Sequence, residues 1–406
     1  MAIKNTVRVV WMVVVALGVF LVLATMYTGL GTGDSNSGEK IDTPEKPEVQ
    51  VPAHVQKDWP VFRGSQSLAG TAAGKLADSL TLLWKFKTDG PVLSSPVIKN
   101  GVVFVGSNDN RVYAISLDKG HEVWKFDTSD DVESSPCVVG GLVVAGSADG
   151  FLYAIDAASG DGLWTYETDG KILGAVNWNK SNDGAGAWVI AGSYDSLLHC
   201  VDAASGEGLW TYETGSYING APAVADGIAA VGSCDAMVHL VSIENGKEVR
   251  QIDAEAYVAG SVAIKGQYVY AGNYEGKFLC ADIETGEVVW GYDAEADMFS
   301  SPAVGSGAIV FGDKDGVVHC LEEESGAFRW KFKTGGEVDS SPVICDGKVV
   351  VGSGDGRVYM IGLENGKEVW SYETAQPVTS SAAVVDGVVV IGCDDGYVYA
   401  FGKGDK

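Results

Sequence analysis

The sequence predicts an all-β fold, an eight-bladed β-propeller of four-stranded antiparallel blades whose ring is closed by an N-terminal strand completing the last blade. Three observations carry this. A Gly-x-x-acid turn recurs eight times, starting at Gly106, Gly146, Gly192, Gly232, Gly272, Gly312, Gly352 and Gly392, with 40 residues between starts except for one step of 46. A Trp recurs with the same period at Trp84, Trp124, Trp164, Trp210, Trp290, Trp330 and Trp370, and Arg250 stands in the remaining slot. The two ends are complementary: the last repeat stops before its Trp, whereas Trp84 has no inner strands ahead of it.

Within a repeat, apolar runs such as GVVFVG at 101–106 and GKVVVG at 347–352 are short and β-branched, hence strand-like. A proline removes a ladder donor, so the Ser-Ser-Pro strand (Ser134, Ser135, Pro136) is expected innermost and the Trp strand outermost. Lys85 and Lys87, like Lys331 and Lys333, alternate along that outer strand and are expected to guard its edge. The eight turn acids (Asp109, Asp149, Asp195, Asp235, Glu275, Asp315, Asp355, Asp395) read as turn builders. Asp bonds nearby backbone, and a following Gly supplies positive φ. His199, His239 and His319 take the repeat position of Tyr113, Tyr153, Tyr359 and Tyr399 and read as satisfied packing residues.

Composition excludes some functions. A net charge of -26 opposes binding to nucleic acid or to an anionic membrane surface. Seven cysteines without a C-x-x-C give no disulfide or zinc framework, and Cys200, Cys280 and Cys320 sit where Ala114 and Ala154 sit elsewhere, as small core residues.

Residues 9–30 are apolar and uncharged, follow Lys4 and Arg8, and as a helix would reach about 33 Å. The expected organisation is a cytoplasmic stub at 1–8, a transmembrane anchor at 9–30, a flexible linker at 31–57 and a propeller at 58–406. This places the protein in the cell membrane, single-pass, with the propeller on the periplasmic or extracellular side; a cleaved signal peptide is the competing reading. No cysteine precedes Cys137, which excludes lipid attachment at the end of this segment. In the leader at 58–64, Trp59 and Phe62 are positioned to latch onto the folded domain.

The stretch from Ala154 through Asp156 and Gly160 to Trp164 resembles the A-x-D-x-x-x-G-x-x-x-W tryptophan-docking motif of the PQQ-like (pyrroloquinoline quinone) β-propeller repeat family. The unit ending at Trp290 departs by having Cys280 in place of the Ala. The resemblance covers roughly 58–402, and the Trp59–Gly64 leader is similar to those preceding such repeats in bacterial envelope proteins. It implies a non-catalytic, BamB-like binding or scaffold module of the cell envelope, related to outer-membrane assembly. The enzymatic alternative it implies is a quinoprotein dehydrogenase, which combines PQQ with calcium, an Asp base and usually adjacent cysteines. Here no cysteines are adjacent and the 40-residue units leave no long insertions. The expectation is therefore no catalytic residue, no cofactor and no metal.

If the scaffold repeats, function lies where repeats differ. In blades 3–5 the first Ser of Ser-Ser-Pro becomes Gly174, Gly220 and Gly260, which is expected to clear side chains from the channel mouth. Neighbouring loop positions carry Tyr194, Tyr217, Asn219, Tyr257 and Tyr274, with Met298 and Phe299 next to them and Arg250 in the same sector. Blades 2, 7 and 8 place Asp130, Asp131, Glu133, Glu337, Asp339 and Asp394 there instead. This predicts an aromatic partner-binding patch (Tyr194, Tyr217, Asn219, Tyr257, Tyr274, Phe299) opposite an acidic half, receiving another envelope protein or a small ligand; drift among exposed loop positions is the plain alternative. The six extra residues fall within 177–188, on the opposite face, with Trp178 as a candidate second contact point; a longer loop is the simpler account.

Overall fold

A computed structural model describes residues 57–181 and 184–404. The 9–30 anchor and nearly all of the 31–57 linker lie outside the described residues, and no described helix is long and apolar enough to cross a membrane.

Eight antiparallel sheets form the ring. Blade 1 contains Val97–Lys99, Val102–Ser107, Arg111–Ser116 and Glu122–Asp127, in that order from the channel outward. Blades 2 to 7 follow at 137–167, 177–213, 223–253, 263–293, 303–333 and 343–373. In blade 8, Ala383–Val385, Val388–Cys393 and Tyr397–Gly402 are completed by Thr81–Lys87, with Lys85 opposite Tyr399. The N-terminal strand therefore closes the ring, so no blade is left unfinished at the seam.

The middle strands are buried on both faces because each blade is sandwiched between two others, which is why they read as continuous apolar runs. Blades interlock at the turn glycines. A Cβ on Gly106 would stand 2.4 Å from Val132 Cγ1, and one on Gly392 would stand 2.6 Å from Val92 Cγ1 across the closing seam. The turn Gly is thus required by close approach of the next blade, not by its φ.

The prolines lie just ahead of the innermost strands, which begin one residue later, as at Cys137 after Pro136. The outer edge is protected differently from expectation. Each outer strand carries a β-bulge at the residue before the Trp slot, as at Leu163 between Gly162 and Trp164, which locally disrupts and twists the edge. Lys85 and Lys87 instead fold over the Tyr397 ring, at 4.5 and 4.7 Å.

The leader does more than latch. Trp59, 1% exposed, exchanges backbone hydrogen bonds with Ile98 of blade 1. The chain then winds around the channel: the Pro60, Gln66, Ser67, Ala69 and Gly70 carbonyls accept the N–H groups of Val138, Val224, Ile264, Val304 and Ile344 at 2.7–2.9 Å. These donors share one repeat position. In blade 3 the Asn177 side chain substitutes, its Nδ2 donating to the Gln66 carbonyl at 2.7 Å. Thr71–Ala72 finally pairs parallel to Val343–Cys345 as a fifth strand of blade 7.

Candidate functional site: the loop face and the channel it opens onto

Six of the eight turn acids, all but Glu275 and Asp315, build their turns as expected. Asp149 accepts the Phe151 and Ser129 N–H groups and the Tyr153 hydroxyl, at 2.9, 3.0 and 2.7 Å, tying its turn to strand and loop. His199 and His239 replace the tyrosine by bonding Asp195 and Asp235 at 3.0 and 2.9 Å. In blades 5 and 6 this role passes to Asn273 and Asp313, the latter 2.6 Å from His319. Cys200, Cys280 and Cys320 are buried, and burial pushes each thiol up to about 12, leaving inert core groups.

The loop face is built by one rule. The third residue of each Gly-x-x-acid turn bonds by its N–H to the loop entering its own blade, as Tyr194 does to Lys171 and Tyr274 to Tyr257. In several blades its side chain reaches the loop entering the next blade. Tyr194 stacks on Tyr217 with centroids 5.2 Å apart and planes 9° apart, and its hydroxyl donates to Asn219 Oδ1 at 2.7 Å. Asn219 Nδ2 donates onward to the Ala259 carbonyl at 2.8 Å. Tyr274 meets Phe299 edge-on at 5.5 Å. Tyr217, Tyr257 and Tyr274 are 53%, 56% and 43% exposed, unusual for such large rings. The structure therefore brings the six residues onto adjoining seams of blades 3 to 6. Burial holds the Tyr194 hydroxyl above its ordinary range, with Cys234 and then Glu133 adding to it.

On the acidic side the same rule brings Asn108 Nδ2 to Asp131 and Glu133 at 3.4 and 3.3 Å. Lys314, which the sequence reading missed, bonds Glu337 and Asp339 at 2.8 and 2.7 Å and lies 4.6 Å from the Phe299 centroid. It joins the aromatic half to the acidic half, and its signal was its turn position, the one held by Tyr194 and Tyr274. Burial, reinforced by neighbouring acids, raises Asp131 and Asp394 above the usual carboxylate range.

Three expectations about this face need correction. Arg250 does not belong to it: its side chain lies on Gly286 and donates from Nη2 to the Glu284 carbonyl, taking the place of a docking Trp. Met298 is 1% exposed and packs over Gly272, so only Phe299 of that pair faces the loop surface. The first Ser of Ser-Ser-Pro does not occupy the channel mouth either. Ser134, for example, is buried and donates to the Gly174 carbonyl at 2.8 Å, stitching blade to blade. Gly174 and Gly220 are glycines because a Cβ would stand 2.7 and 2.6 Å from the next blade's carbonyl oxygen. On the opposite face Trp178 is half-buried, packing against the core between blades 2 and 3 and lining a cleft with Pro60 and Val138.

The second Ser is the one that lines the channel. Ser95, Ser135, Ser261, Ser301, Ser341 and Ser381 surround a chamber of about 270 Å³, open to the loop face and floored by Phe62. Each hydroxyl accepts a backbone N–H from the preceding blade, as Ser135 does from Ser95 at 2.8 Å, which leaves its own proton available to the chamber. Asn219, Phe299, Glu133 and Asp339 sit at its mouth.

These residues do not fit PQQ with calcium. The quinone's three carboxylates call for cationic partners, whereas the lining offers hydroxyls, backbone and the acids Glu133 and Asp339. Among the described residues no group of three or more His, Cys, Asp or Glu side chains is placed to hold a metal ion.

The family model described as "Outer membrane protein assembly factor BamB" matches residues 76–182, 167–249 and 234–400. No curated protein matches the chain. Among solved structures, BamB from Moraxella catarrhalis superposes with a TM-score of 0.68 at 19% identity, over 80% of this chain and 100% of that one. The computationally designed Ika8 protein gives 0.69 at 20%, over 79% and 99%. Quinohemoprotein alcohol dehydrogenase from Comamonas testosteroni gives 0.72 at 14%, over 86% and 81%. At such identities the superpositions speak to fold alone, but the family model spans most of the repeats. The chain is a PQQ-repeat β-propeller and belongs to the family of the outer membrane protein assembly factor BamB.

Proposed function

We propose that the chain is a non-catalytic binding or scaffold module of the cell envelope, held at the membrane by residues 9–30 with its propeller outside the cytoplasm. Its loop face receives a polypeptide partner. The observation that carries this is the exposure of Tyr217, Tyr257 and Tyr274 on the seams of blades 3 to 6 of a face that is otherwise polar. Tyrosine combines a large apolar body with a polar tip, the combination enriched at protein interfaces. The neighbouring acids Glu133, Glu337 and Asp394, in a chain of net charge -26, favour a partner segment with basic as well as apolar side chains. The name of the BamB family supports a role in assembly. Lys4 and Arg8 ahead of the apolar run support the orientation.

The test is crosslinking in native membranes followed by mass spectrometry, comparing the wild type with a Tyr217→Ala, Tyr257→Ala, Phe299→Ala triple variant. Loss of a specific crosslinked protein is expected; retention of every partner by a folded triple variant defeats the reading. Adding PQQ and Ca²⁺ to the purified protein is expected to leave no bound chromophore, and a bound one would restore the dehydrogenase alternative.

A further inference from the structure

The leader that plugs the channel carries a charge that the other described residues leave unanswered. Arg63 follows Phe62 in the 3-10 turn Phe62–Gly64, is 1% exposed, and has no hydrogen-bond partner for Nε, Nη1 or Nη2. Among the described residues it forms no ion pair. Burial pushes its guanidinium down, but only to about 9, so it keeps its proton at neutral pH. An unpaired ion in a protein interior is costly, and buried cations are accordingly found with counter-charges.

The surroundings are shaped to hold this group. Gly70, at φ +64, leaves the space it fills: a Cβ there would stand 2.0 Å from Nη2. The Phe62 ring lies on another side, its centroid 5.9 Å from Cζ. Arg63 and Leu68 both have left-handed backbone, at φ 64 and 55, a conformation that side-chain-bearing residues rarely adopt. Such strain persists where the surrounding structure demands it and concentrates at functional positions. Phe62 also floors the chamber ringed by six Ser hydroxyls, whereas Arg63 is not part of the chamber's lining.

We infer that Arg63 anchors an anion site inside the plugged channel, occupied by a small inorganic anion, either a halide or a tetrahedral oxyanion such as phosphate. The guanidinium fork suits such ions, and near-complete enclosure excludes a macromolecular carboxylate. Water would satisfy the donors but leave the charge uncompensated.

The full chain, purified in detergent, is crystallised in two arms, one with sodium bromide and one with sodium phosphate as the sole small inorganic anion, both in HEPES. A bromine anomalous peak, or tetrahedral density, within hydrogen-bond reach of the Arg63 guanidinium supports the site, and the occupied arm tells halide from oxyanion. Only water at the guanidinium in both arms overturns it. In solution, the thermal midpoint is expected to rise with the logarithm of the bound anion's concentration at fixed ionic strength, and Arg63→Met is expected to abolish that dependence. The crystallographic arms use wild type alone, so they decide the matter even if Arg63→Met does not fold.

Discussion

Arg250 donates from Nη2 to the Glu284 carbonyl while lying on Gly286, whereas Trp210, lying on Gly246, donates from Nε1 to the Ile243 carbonyl, the repeat equivalent of Ile283, one residue earlier. Trp84, Trp124, Trp164 and Trp330 make the bond that Trp210 makes, at 2.7–3.0 Å. The arginine keeps a blade-to-blade bond, to a neighbouring carbonyl, and loses the ring, and its Nε is buried without a partner among the described residues. Arg250→Trp is therefore expected to stabilise the propeller by about 1 kcal/mol, since it removes an unsatisfied donor and adds apolar contact. Chemical denaturation midpoints check this; a lower midpoint would mean that the blade 4–5 interface has adapted to arginine.

The residue after each turn acid has positive φ. Gly holds that position in five blades and Asn110 in one, but blades 3 and 4 have Ser196 at φ 72 and Ala236 at φ 70. Left-handed backbone costs a residue with a Cβ about 1–2 kcal/mol, and Gly gives back part of this through a freer unfolded chain. Ala236→Gly is expected to stabilise by about 0.5–1 kcal/mol, measured by equilibrium unfolding. An unchanged or lower stability would place the strain elsewhere.

At the closing seam Gly392 faces Val92, and an added Cβ would stand 2.6 Å from both the Val92 Cγ1 and carbonyl oxygen. Backbone cannot yield as a flexible side chain does, so Gly392→Ala is expected to destabilise by about 1–3 kcal/mol. The damage falls where the first and last blades meet. Limited proteolysis should therefore cut near residues 81–87 before the ring as a whole unfolds; uniform protection would argue against a weakened seam.

The ring, its closure and the strand order were legible in the sequence because each follows from a repeated constraint: Gly106 and its seven equivalents, the Trp slot, and a last blade lacking its fourth strand. Singular contacts were less so. Nothing in the spacing of Arg250 says that a guanidinium can stand in for an indole, because the repeat records only that Trp is missing. Trp59 and Phe62 announced a packed leader, yet the path of the leader depends on backbone carbonyls, which every residue has. The six patch residues were found as departures from the repeat, and their mutual stacking follows from the blade-to-blade reach of turn side chains, as between Tyr194 and Tyr217. Lys314 was missed because a lone lysine on an acidic face reads as a solvated charge until its two carboxylate partners are seen.

Asp394 gives the loop face a pH signature. Burial, with Asp395 and Asp339 adding to it, raises its folded pKa above the ordinary carboxylate value, although the Thr379 hydroxyl donates to it at 2.7 Å. A carboxylate raised on folding opposes stability above its folded pKa, and the penalty fades as pH falls through that value toward the unfolded one. Asp394→Asn is thus expected to melt above the wild type at pH 7, by about 1–2 °C, with the gap closing below pH 4. Thermal melts across pH 3.5–8 check this, and a gap that widened on acidification would reverse the sign.

The leader offers the strongest single perturbation. Trp59 is 1% exposed, exchanges two 2.7 Å backbone bonds with Ile98, and packs so tightly on Gly64 that a Cβ there would stand 2.6 Å from its ring. Every later bond of the winding, from Pro60 to Gly70, depends on the chain entering at this point and in this register. Trp59→Ala is expected to cost about 3–5 kcal/mol at the plug. That cost should be local, because blades 2 to 8 keep their own four-stranded ladders; blades 2, 4, 5, 6 and 7 lose the leader carbonyl that accepts one innermost-strand N–H, and blade 3 loses the bond from the Asn177 side chain. Hydrogen exchange should then accelerate at Ile98, Val138, Val224, Ile264, Val304 and Ile344 while the middle strands stay protected. Equal acceleration in the middle strands would instead make the leader part of the ring's cooperative core.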